Sequence, residues 1–131
     1  MAAPSPLPFP APGAPVREGL TVFVKGLEVA AGIGVYDHEQ GRLQRLVIDV
    51  TLDLTPAPIE RLSDTINYET VAEAARAIVA EGHVGLVETF AERLAVAMLG
   101  DARVRRCTVR VEKPGALGGD EVPGCELVMS R

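Results

Sequence analysis

Between Arg45 and Leu54 the chain alternates without a break. Leu46, Ile48, Val50, Leu52 and Leu54 fall on one side; Val47, Asp49, Thr51 and Asp53 fall on the other. A period of two with one apolar side specifies a half-buried antiparallel strand. It also fixes the register, because a slip of one residue would turn the whole apolar set toward water. Such a strand needs partners at its edges and a layer over its apolar face, and the flanking segments supply both. Residues 20–30, rich in Val, Leu and Phe, read as a preceding strand, joined by the polar connection 36–42. Residues 104–112 alternate again, with Cys107, Val109 and Val111 inward, and residues 125–130 read as a fourth strand. Pro114 ends the third, since proline cannot donate to a central ladder.

Two helices separate the hairpins. The first is predicted to start at Tyr68 behind an Asn67 cap, to bury Val71, Ala75 and Ile78, and to stop near Gly82. The second places Val87, Phe90, Ala91, Leu94, Ala95 and Met98 on one face, with Gly100 as a stop. The order ββααββ predicts an α+β fold, an antiparallel sheet with two helices on one face. It differs from the ferredoxin-like order, in which helices alternate with strands. The sheet has two open edges, and its second face carries Val47. Open edges invite pairing with another subunit, so a ring of chains joined edge to edge into a barrel is expected.

One domain, residues 20–131, is expected for 131 residues. Ahead of it, six of the ten prolines lie between Pro4 and Pro15. Proline at that density blocks helices and ladders, so residues 1–19 read as a disordered or polyproline-like tail. A net charge of −5 argues against a nucleic-acid binder. Arg103, Arg105, Arg106 and Arg110 then read as a solvated strand face. No apolar run reaches membrane-spanning length, and no export signal is recognisable. Cys107 and Cys125 do not make a disulfide framework and read as small hydrophobes on strands. A cytoplasmic location is the expectation.

Four residues carry candidate chemistry. Glu88 sits in the first turn of the second helix, where backbone N–H groups lack partners and the dipole favours an anion. A carboxylate there can accept two parallel N–H bonds from a flat, amidine-like ring edge, the geometry it uses with arginine. The N–H groups around Leu86 and Val87 can meet a ring carbonyl. Lys113 lies at a strand end, held extended by the proline after it. Partial burial would make it a candidate general base. Glu39, in the first hairpin connection, can orient water or a hydroxyl. Tyr68 can stack on a flat ligand and pass a proton. Each also has a structural reading: a dipole-favoured acid, an exposed lysine, a solvated loop charge and a packed aromatic. Gly32 and Gly34 suggest a bulge or a close backbone approach. His38 and His83 are the only histidines. Asp37, His38 and Glu39 are adjacent and cannot easily converge on one ion, so no metal is expected. No Walker-type or Gly-x-Gly-x-x-Gly phosphate loop is present.

The segments Gly34-Val35-Tyr36-Asp37-His38-Glu39-Gln40, Ile66-Asn67-Tyr68, residues 86–95 and Val111-Glu112-Lys113-Pro114-Gly115-Ala116 together resemble the motifs of dihydroneopterin aldolases. The resemblance runs from about Thr21 to Met129 and excludes the tail. It implies the tunnelling fold, in tetrameric rings often stacked as octamers, with sites between neighbouring subunits. It implies a folate-pathway lyase that splits 7,8-dihydroneopterin into 6-hydroxymethyl-7,8-dihydropterin and glycolaldehyde. On that resemblance Glu88 anchors the pterin, assisted by backbone groups of Leu86 and Val87. Lys113 does the acid–base work, Tyr68 comes from the adjacent subunit, and Glu39 lies near the hydroxylated side chain. No cofactor is implied, because the pterin ring itself can accept the electron pair. His38 and Val87 depart modestly from the family pattern. A 2′-epimerase acting on dihydroneopterin or its triphosphate, and a pterin-binding ring without catalysis, remain alternatives.

Overall fold

In the computed structural model, which describes residues 12–131, four strands make one antiparallel sheet in the order β1-β2-β3-β4. β1 spans Thr21–Ala31, β2 Gln44–Leu54, β3 Val104–Glu112 and β4 Gly124–Ser130. Helices α1 (Glu69–Ala80) and α2 (Val87–Leu99) lie between β2 and β3 in the chain. The ββααββ order is the one the sequence predicts.

The alternation of β2 sets the core. Leu46, Ile48, Val50, Leu52 and Leu54 are all buried. Pairing carries the same parity across the sheet: Val50 faces Val24 and Val109, Leu52 faces Val22 and Cys107, and Ile48 faces Leu27 and Val111. The helices cover this inward face. α2 packs on β3 and β4, and α1 on β1 and α2. α2 buries Phe90, Ala91, Leu94, Ala95 and Met98; α1 buries Val71, Ala75 and Ile78. Burying each large apolar side chain stabilises by roughly 1.5–3 kcal/mol.

The outer face of the sheet is charged, and carboxylates stand beside its arginines. Asp53 and Arg106 oppose each other, with Arg106 Nη2 2.6 Å from the carboxylate. Arg110 lies beside Glu126, 3.7 Å away, and Arg103 pairs with Asp101 at 2.6 Å. These carboxylates occupy three of the four arginines in the basic cluster.

Several local details differ from the sequence reading. The bulge falls between Val24 and Leu27, not at Gly32 and Gly34. There Gly26 takes φ +74° and donates its N–H to Asp49 Oδ1 at 2.7 Å. α1 begins at Glu69, one residue later than predicted, with Tyr68 and not Asn67 at the N-cap; Asn67 Oδ1 still accepts from the Glu69 N–H at 3.0 Å. Gly82 turns the chain with φ +118°. Gly100 stays helical at φ −63°, so α2 does not end on a left-handed glycine. A Cβ at Gly100 would stand 3.1 Å from the Ala97 carbonyl oxygen, a tight contact. Of the proline-rich tail, residues 1–11 lie outside the described residues. Residues 12–19 are exposed and form neither helix nor strand. Within them the Arg17 guanidinium donates to the Ala57 carbonyl.

Candidate active site

Two inward rows of the sheet continue past the end of the apolar core. Gln44 precedes Leu46 in β2, and Lys113 follows Val111 beyond β3, each in the inward parity. Polar side chains in that register need polar partners, because burying them alone would cost the full desolvation of each group. Glu39 supplies the partner. It closes a short 3-10 turn, Asp37–Glu39, and is buried at 5% exposure. The Lys113 ammonium donates to Glu39 Oε2, and Gln44 Nε2 donates to the same oxygen at 2.8 Å. The other Gln44 amide hydrogen goes to the Ile33 carbonyl at 2.7 Å. The Tyr36 N–H reaches Glu39 Oε1 at 3.4 Å. The lysine bond above all, then the Gln44 bond, holds the Glu39 carboxyl down at about 2, against the opposing effect of burial. Glu39 is therefore a fixed anion, not the solvated loop charge its position in a polar connection allows.

Gly34 explains how the carboxylate fits. Its φ is +125°, and a Cβ built on it would fall inside the Glu39 carboxylate. The expected close approach is real, and it is to the Glu39 carboxylate.

The opposite wall comes from the start of α2. Ile33 forms an isolated parallel bridge with Val84. The Gly34 N–H donates to the Val84 carbonyl and the Val84 N–H to the Gly32 carbonyl, both at 3.0 Å. This clamp sets Gly34 and Tyr36 beside Leu86, Val87 and Glu88. The first helical bond of α2 runs from the Phe90 N–H to the Leu86 carbonyl at 3.2 Å. The N–H groups from Leu86 to Thr89 consequently have no acceptor within the helix and are open to a ligand.

Five sequence-predicted residues thus line one groove: Glu39, Leu86, Val87, Glu88 and Lys113. Its volume is about 300 Å³, enough for a bicyclic heterocycle with a short side chain. Tyr68 does not line it. That ring is 62% exposed at the foot of α1. His38 stacks on Tyr36 at the groove mouth, with centroids 5.7 Å apart and planes 7° apart. Among the described residues, no cluster of three or more His, Cys, Asp or Glu has metal-holding geometry. Cys107 lies in the core, and burial pushes its thiol up to about 12.

Two residues of the site escape the sequence reading. Gln44 has a legible signal: it continues the inward parity of β2 where every other inward residue is apolar. His83 has none. Its Nε2 lies 2.6 Å from the Gly34 carbonyl, a contact across 49 residues of chain.

An antiparallel ββααββ sheet with two helices on one face, an acid at the tip of the second helix and an acid–lysine pair at the strand ends, defines a tunnelling-fold domain. The comparisons narrow this further. Residues 22–128 match the family described as FolB, dihydroneopterin aldolase. The dihydroneopterin aldolase of Bacillus subtilis is 41% identical over 97 residues, which is 71% of this chain and 81% of that one. The crystal structure of the Escherichia coli dihydroneopterin aldolase in complex with neopterin superposes with a TM-score of 0.74 at 29% identity. That alignment covers 84% of this chain and 98% of that one. The Burkholderia thailandensis dihydroneopterin aldolase bound to guanine also gives 0.74, at 27% identity, over 87% of this chain and 93% of that one. The chain belongs to the dihydroneopterin aldolase family.

Proposed function

We propose that the groove binds 7,8-dihydroneopterin and cleaves it to 6-hydroxymethyl-7,8-dihydropterin and glycolaldehyde, a lyase step of folate biosynthesis. The observation that carries this reading is the placement in one groove of Glu88, from the start of α2, and Lys113, from the end of β3. Neopterin and guanine, the ligands named for the two solved relatives, share a 2-amino-4-oxopyrimidine ring. Glu88 would accept the paired N–H bonds of that ring edge, and the open N–H groups around Leu86 and Val87 would meet its carbonyl.

The chemistry asks little more of the protein than position and proton traffic. The 2′-hydroxyl loses its proton, the C1′–C2′ bond breaks, and glycolaldehyde departs. The electron pair passes into the C6=N5 imine of the ring, with a proton arriving at N5. Return of a proton to C1′ and loss of the N5 proton restore the imine in the product. The ring is its own electron sink, so neither a Schiff base nor a metal ion has a step to perform. Lys113 carries the protons. Glu39 holds the Lys113 ammonium toward the groove and faces the hydroxylated side chain. Tyr68 would arrive from an adjacent subunit, in a homotetramer or homo-octamer of the cytoplasm, to stack on the ring and relay a proton.

A 2′-epimerase would use the same cleavage followed by re-addition on the other face. Lys113 is the only Lys or Arg among the described groove residues, and Glu39 already engages it. Among the described groove residues of one subunit a triphosphate chain therefore meets no cation besides the one Glu39 engages, which favours the aldolase reading over a triphosphate epimerase. The test is product analysis. Purified protein with dihydroneopterin and no added metal should release glycolaldehyde, and dihydroneopterin triphosphate should react poorly. Epimer without glycolaldehyde would reverse the assignment; tight pterin binding without either product would leave a non-catalytic ring.

A further inference from the structure

Gly34 is the point on which the buried carboxylate rests, and every hydrogen-bonding group of its backbone is engaged. Its N–H goes to the Val84 carbonyl at 3.0 Å. Its carbonyl accepts from Gln40 Nε2 at 3.1 Å and stands 2.6 Å from His83 Nε2. A carbonyl only accepts, so the ring proton of His83 sits on Nε2 and is donated. Gln40 belongs to the same hairpin connection as Gly34, between β1 and β2. His83 belongs to the turn between α1 and α2, which carries the Glu88 wall. Its bond therefore spans the two walls of the groove, on a glycine whose Cα packs directly against Glu39.

We propose that His83 is a positioning residue for the Lys113–Glu39 pair. By tying the Gly34 carbonyl to the α1–α2 turn, the imidazole sets the depth of the Glu39 carboxylate. It thereby sets where the Lys113 ammonium points relative to a ring held by Glu88. The role is that of a donor at one fixed position, not of a charge or a bulk. The inference rests on the reading of Lys113 as the proton carrier.

Three full-length variants test it, with dihydroneopterin as substrate and neopterin as the binding probe. His83→Leu keeps the volume and removes the donor. It should lower kcat about tenfold, since a displacement well under 1 Å at reacting groups has effects of this order, and leave neopterin affinity within about twofold. His83→Gln offers an amide N–H at the place of Nε2 and should recover most of kcat. Lys113→Ala reports on the underlying reading separately. Undiminished kcat in His83→Leu would overturn the inference, as would equal loss in the Leu and Gln variants. A parallel fall of kcat and neopterin affinity would also overturn it, because that pattern marks collapse of the groove. Full activity in Lys113→Ala would instead remove the proton-carrier reading, whatever His83 does.

Discussion

At the scale of single residues the site depends on a buried anion, and that anion makes a signed prediction. The Glu39 carboxyl sits at about 2 in the folded chain against an ordinary 4.5, chiefly because Lys113 and then Gln44 donate to it. A carboxyl whose value is depressed on folding adds stability above its unfolded value and loses that contribution as pH falls through its folded value. The Glu39 contribution should therefore be full above about pH 4.5 and fade toward pH 2. Glu39→Gln should flatten the stability-versus-pH curve in that window, read by urea unfolding at a series of pH values. Unchanged curvature would mean that the carboxylate is not held by Lys113 and Gln44 in solution. The same residue shows where sequence reasoning stops. Its position in a polar hairpin connection gives no sign that the carboxylate is buried. That depends on Gly34, whose missing side chain opens the space, and on Lys113, which lies 74 residues away in sequence.

At the scale of elements, what was legible followed periodicity. β2 and β3 fix their inward faces by alternation, and α2 fixes its buried face by its apolar stripe. Those three elements carry most of the core. Leu94, fully buried on α2, should cost about 2–5 kcal/mol when cut to alanine, since the cavity cannot fully collapse beneath a sheet. Denaturant unfolding of Leu94→Ala measures this, and a loss under about 1 kcal/mol would show that α2 is not seated on the sheet as described. Less legible were the events that break a period. The bulge at Lys25-Gly26 is hard to read because Val22 and Val24 lie on one parity and Leu27 and Val29 on the other, with polar residues on both, so no single alternation runs through the strand. Gly32 and Gly34 read as a bulge or a close backbone approach; the second holds, and the same residues form the clamp to Val84, a pairing between segments about 50 residues apart that no local pattern encodes. Gln44 and Lys113 were readable in principle, as polar residues that continue an apolar row beyond the end of the core.

At the scale of the whole molecule, one chain brings three of the four candidate side chains into its groove. Glu39, Glu88 and Lys113 line it, while Tyr68 stands exposed elsewhere on the surface, and the outer edges of β1 and β4 have no partner strand among the described residues. Pairing of β1 and β4 edges between copies would close the sheet and give Tyr68 a neighbour's groove to enter. Complementation tests this. Tyr68→Ala and Lys113→Ala, each inactive alone, should regain activity when dissociated and reassembled together, because some mixed sites then hold both native residues. No recovery from reassembled mixtures would place Tyr68 outside the reaction or within its own chain's site. The central claim, however, is the division of labour in the groove: the helix-tip acid holds the ring, and the strand-end lysine moves the protons. It is tested most directly by measuring neopterin affinity and glycolaldehyde release side by side in Lys113→Ala and Glu88→Ala. Lys113→Ala should bind neopterin within a few-fold of the native chain while turnover falls by about a thousandfold or more, and Glu88→Ala should lose binding itself. Native turnover in Lys113→Ala, or undiminished affinity in Glu88→Ala, would contradict the account.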